Sequence, residues 1–91
     1  KDEAMEKEIS EQKEWRGEFL KKVREYKNYT VERLSEIIKV NSFYIKAIEV
    51  EDPNNLPAPV FVRGYVVQIA KELGLDSKMV ADAYMKHFNK N

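Results

Sequence analysis

From Trp15 onward the apolar residues recur at three- and four-residue steps: Trp15, Phe19, Val23 and Tyr26, with Leu20 beside them. This spacing marks one face of a helix, which should end near Asn28. Thr30 then suits an N-cap, and Glu32 places an acid in the first turn, where it favours the orphan amides. A second helix carries Val31, Leu34, Ile37 and Ile38 and stops at Lys39-Val40. Asn41 or Ser42 caps a third, which carries Phe43, Tyr44, Ile45, Ala47 and Ile48. The connection from Glu51 to Pro57 is polar and turn-rich, with Leu56 as its one anchor to the core. Pro59 fits the first turn of a fourth helix, where a missing amide is harmless. That helix runs to Leu73 and ends at Gly74, a natural residue for a left-handed cap. Asp76 caps a fifth helix with Met79, Val80, Ala83, Tyr84 and Phe88. No run of four or more residues alternates with period two, and there is no internal repeat. The pattern predicts an all-α, five-helix domain.

Two short helices joined by about three residues, with a helix on either side, suggest a helix-turn-helix arrangement. Ahead of them the chain is different. Residues 1–18 hold four bases and seven acids, and Ile9 stands alone among polar neighbours. We read residues 1–14 as an acidic extension, a frayed helix or a linker. The domain then occupies 15–88, and 89–91 form a tail.

Composition narrows the function classes. Ninety-one residues allow one small domain. The absence of cysteine removes disulfides and the usual thiolate ligands. Sixteen bases balance sixteen acids, which weighs against a dedicated nucleic-acid binder, although residues 19–91 carry a local charge of +3. The apolar stretch from Leu56 to Ala70 is broken by Pro57, Pro59, Arg63 and Gln68, so no membrane span is expected. The start, Lys-Asp-Glu-Ala, has no apolar signal core and no initiator Met, as expected of a cytoplasmic piece excised from a longer protein. The sequon Asn28-Tyr29-Thr30 reads as a chance match.

Catalytic chemistry finds no foothold. His87 is the single histidine, and it lies near the C-terminus with no cysteine to pair with. Glu49, Glu51 and Asp52 cluster without a third ligand type nearby, so no metal site is expected. Gly17, Gly64 and Gly74 are isolated and form no phosphate loop. No serine or threonine sits in a nucleophile setting. The expectation is a non-enzyme with no cofactor.

Particular residues go further than spacing. Phe19-Leu20-Lys21-Lys22-Val23-Arg24-Glu25-Tyr26-Lys27 followed by Thr30-Val31-Glu32-Arg33-Leu34 resembles the opening of Cro/repressor-type helix-turn-helix domains. Tyr44-Ile45-Lys46-Ala47-Ile48-Glu49, then Leu56-Pro57-Ala58-Pro59-Val60-Phe61-Val62-Arg63-Gly64-Tyr65, then Ala70-Lys71-Glu72-Leu73-Gly74-Leu75-Asp76, resembles the RodZ-like branch across roughly residues 17–87. The resemblance implies a repressor fold reused for protein docking. In RodZ such a domain is cytoplasmic, precedes a transmembrane helix and docks on the actin-like protein MreB. Two aromatics of the fourth helix make much of that contact, and Phe61 and Tyr65 stand at the matching positions. The acidic lead departs from RodZ and is closer to similar domains that follow another module in larger bacterial proteins.

The residues of the fourth helix support a docking surface on their own account. At about 100° per residue, Val62, Val66, Ile69 and Leu73 share one stripe, the core face. Phe61 and Tyr65 lie to one side of it, and Val60 and Val67 point further away. Phe61 is expected partly exposed and Tyr65 at the core edge. Arg63 either meets a partner carboxylate or pairs with an acid of the domain itself, such as Glu49 or Glu51. Gly64 costs roughly 1 kcal/mol inside a helix, which close approach of another helix or of a partner would explain. The expected binding residues are therefore Phe61, Arg63 and Tyr65. The expected partner is a protein, either an actin-like cytoskeletal protein or a signalling component, with no direct membrane contact by this stretch. Sequence-specific DNA binding stays open as an alternative, carried by Asn41, Ser42 and Lys46 with Lys39. A structural or self-associating domain is the other alternative.

Overall fold

Asp2 opens a helix that the periodicity does not announce. Its carboxylate accepts hydrogen bonds from the amides of Ala4 and Met5 at 2.9 and 3.2 Å, satisfying two orphan donors. In the computed structural model, which describes residues 1–88, the elements are α1 (Glu3–Glu11), α2 (Gly17–Tyr26), α3 (Val31–Ile38), α4 (Ser42–Val50), α5 (Pro59–Glu72) and α6 (Ser77–Phe88). There are six helices, not the expected five, and no strand among the described residues. The five expected helices are α2 to α6. The expected tail at 89–91 lies outside the described residues.

The extra helix has a physical basis. Met5 and Ile9 are one turn apart, and Met5 is buried in the same cluster as the rest of the core. Two apolar positions among acids and lysines are too few to register as an amphipathic face. Polar ties hold α1 to α2. The Tyr26 hydroxyl donates to Glu6 Oε2 at 2.7 Å, and Lys22 Nζ lies 3.1 Å from Glu8. Trp15 is fully buried, but in the connection rather than in α2, with its indole N–H on the Gln12 carbonyl at 3.1 Å and its ring edge-on to Phe19.

α2 starts at Gly17 because a residue from another helix caps it. Arg16, in the N-cap position, makes no capping bond of its own. Glu51, just past α4, accepts from the Gly17 amide at 2.7 Å and from Arg16 at 2.6 and 3.0 Å. Arg16 first, and then the Gly17 amide, hold the Glu51 carboxyl below its ordinary value of 4.5. A depressed native pKa gives stability that is complete above the unfolded value and is lost as pH falls through the native one. Glu51→Gln is therefore expected to flatten the acid side of the stability curve, with a loss near neutrality of about 1 kcal/mol for this partly exposed pair. Urea titrations between about pH 6 and pH 3 check this. A wild-type acid limb in the variant would contradict it.

α3 and α4 form the helix-turn-helix. Thr30 caps α3 through Arg33 N at 3.0 Å, and Asn41 caps α4 through Phe43 N at 2.8 Å. Lys39 turns the chain between them in a left-handed conformation, φ 61°. α5 buries Val62, Val66, Ile69 and Ala70 against α3, α4 and α6. Pro59 stands in its first turn, and Gly74, φ 74°, follows its end. Leu56 packs against the core as its loop's anchor. The Tyr84 hydroxyl, buried on α6, donates to the Ile48 carbonyl at 2.9 Å and joins α6 to α4.

Candidate functional site

The core stripe of α5 leaves the opposite side of the helix uncovered. Val60 is 72% exposed and Phe61 57%. Tyr65, one turn after Phe61, is half-buried and stacks on Tyr44 of α4, with ring centroids 5.7 Å apart and planes at 28°. Tyr44 in turn meets Phe43 edge-on at 5.5 Å, and Phe43 is 51% exposed. An aromatic row thus runs from Phe43 through Tyr44 to Tyr65, with Phe61 beyond it. Its middle members are fixed by packing and its ends face solvent. Aromatic side chains held in this way offer large contact area at little entropic cost, the property that makes them binding hot spots.

Arg63 points to the other flank. Its guanidinium lies 2.8 Å from Asp82 of α6, which also holds Lys78 at 2.9 Å. Lys78 and then Arg63 keep the Asp82 carboxyl below its ordinary value. The partners expected from the sequence are engaged elsewhere: Glu49 with Arg24 at 2.6 Å, and Glu51 with Arg16. Arg63 therefore borders the aromatic row rather than joining it. Gly64 is exposed, and a Cβ built there meets nothing within 4 Å. Among the described residues no other helix comes within 4 Å of that point, so internal packing does not account for this glycine.

The residues considered for DNA gather at the first turns of α4 and in the turn before it. Asn41 Oδ1 is occupied by its own helix cap. Ser42 is half-buried in the first turn. Lys46 is exposed and sits 3.9 Å from Glu32. Lys39 is exposed at the turn. Phe43, an apolar ring, is exposed among them.

Tyr44 was not among the expected site residues. Its α4 spacing marks it only as apolar, and its pairing with Tyr65 joins residues on separate helices. Among the described residues, no group of three or more acidic, histidine or cysteine side chains could hold a metal ion. No described helix is long and apolar enough to cross a membrane.

The architecture is that of a helix-turn-helix protein, with α3 and α4 as the defining pair. A family described as a helix-turn-helix domain matches residues 19–80, from the first turn of α2 into α6. The chain belongs to this family, the one associated with RodZ-like helix-turn-helix proteins. No curated protein and no solved structure matches it significantly.

Proposed function

We propose that this domain is a non-catalytic, cytoplasmic docking module that binds a protein partner through the outer face of α5 and the adjoining start of α4. The observation that carries this reading is the row Phe43–Tyr44–Tyr65 with Phe61 beside it, anchored in the middle and exposed at both ends. Phe61 and Tyr65 are the main contacts, and Arg63 lies on the rim. Family membership supports an actin-like cytoskeletal protein as the first partner to test, with a signalling component as the alternative. The DNA reading has less support, because Asn41 is spent on its own helix and Lys46 faces Glu32.

The test is co-sedimentation of the domain with filaments of the actin-like protein from the same organism. Phe61→Ala combined with Tyr65→Ala should lower affinity at least tenfold. Phe61 is exposed, so its own replacement should leave stability within about 0.5 kcal/mol. A folded double variant that sediments as well as the wild type would defeat the proposal. Retardation of duplex DNA at about 0.1 M salt, abolished by Lys46→Ala, would move the function to DNA.

A further inference from the structure

Packing within the domain does not explain the presence of Gly64 on α5. It stands mid-helix, where glycine is disfavoured, and the space a Cβ would take is open. At about 100° per residue, Val60, Gly64 and Val67 fall within roughly 60° of arc on the side opposite the core stripe. Val60 is largely exposed, Val67 half-buried. The missing side chain therefore leaves a notch between two valines, with bare helix backbone at its floor. The backbone of α5 is satisfied by its own ladder, so an added strand would find no edge to pair with. A helix crossing the notch would fit, because side-chain ridges pack into such gaps and a glycine lets two backbones come close. The charge around the notch selects among helices. Lys71 falls on this side and makes no ion pair among the described residues, and Arg63 flanks it, sharing the one carboxylate of Asp82 with Lys78, so the cations here outnumber the carboxylate that meets them. This basic rim disfavours a second copy facing itself and suits acidic flanks.

We infer that Gly64 is the crossing point for an amphipathic helix of the partner protein, a helix with apolar residues at the notch and acidic residues along its sides. This rests on the reading of α5 as a docking face and specifies what that face receives. The test places a photo-cross-linking amino acid at Val60 in the full-length protein, in the cells that make it, and sequences the joined segment. A helical segment with an apolar stripe flanked by Asp or Glu is expected. Gly64→Ala should raise the unfolding midpoint by about 4–8 °C and cut the cross-link yield at least tenfold. Unchanged yield in that variant would overturn the inference. So would a joined segment that is extended or basic, a second copy of the chain, nucleic acid, or no adduct at all. If Phe61→Ala with Tyr65→Ala abolishes the adduct while Gly64→Ala keeps it, the docking face stands and the notch does not. If neither change affects the adduct, the docking face itself fails.

Discussion

Gly17→Ala is expected to destabilise the domain severely, lowering its unfolding midpoint by more than about 10 °C. A Cβ at Gly17 would overlap the carbonyl oxygens of Ile48 and Glu49 and lie 2.7 Å from the Glu49 carbonyl carbon. These are backbone atoms in the last turn of α4, so no rotamer change can relieve the overlap. The two helices would have to separate. Separation stretches the bond from the Gly17 amide to Glu51 and disturbs the bond from Tyr84 to the Ile48 carbonyl. Overpacking of this kind costs about 1–3 kcal/mol, and a buried hydrogen bond left unmade about 1–3 more. The helix propensity gained by alanine returns at most about 1 kcal/mol. The net loss is a large share of the roughly 5–15 kcal/mol that holds a small domain together. Thermal unfolding followed by circular dichroism checks it. A midpoint at or above that of the wild type would show that α2 and α4 can part without loss. The same substitution at Gly64 should act in the opposite direction, so the two glycine variants test the packing directly.

Both glycines were visible in the sequence, but what distinguishes them was not. Gly17 and Gly64 are each an isolated glycine in a helical region. The difference is that α4 ends against one and, among the described residues, nothing comes within 4 Å of a Cβ at the other, and that depends on tertiary distance. The helices α2 to α6 were legible because each carries a local signal: apolar spacing for all of them, with Thr30, Asn41, Pro59, Gly74 and Asp76 as punctuation. α1 read only as a frayed helix or a linker because its stability comes from one buried methionine, an aspartate cap and two polar ties to α2. Part of the site was legible too. Phe61 lies off the core stripe and its exposure follows from the helical wheel. The stacking of Tyr65 on Tyr44 does not, since it needs the crossing of α4 and α5. Ion pairs were least legible. With sixteen acids in the chain, the choice of Asp82 for Arg63 is a matter of where α6 lies.

That uncertainty in pairing makes the interior pair the more telling case. Glu49 is held by Arg24, with Nε to Oε2 at 2.6 Å and Nη2 to Oε1 at 3.1 Å, and both side chains are buried. The remaining guanidinium nitrogen donates to the Tyr29 carbonyl at 2.7 Å. Every strong partner is thus supplied, and the pair bridges α2 and α4. Glu49→Leu alone should cost about 3–5 kcal/mol, because it leaves a buried cation without its hydrogen-bonded counter-charge. Replacing both, as Arg24→Met with Glu49→Leu, should recover most of that loss. Removing two charges together also removes their desolvation penalty, and apolar side chains of similar volume refill the space. The Tyr29 carbonyl then lacks its donor, a deficit of about 1 kcal/mol that keeps the double variant slightly below the wild type. Urea unfolding of the four proteins of this cycle measures the coupling. If the double variant lost as much as the sum of the singles, the two residues would be acting independently, and the junction of α2 and α4 would rest on the Gly17 contact and its Glu51 cap instead.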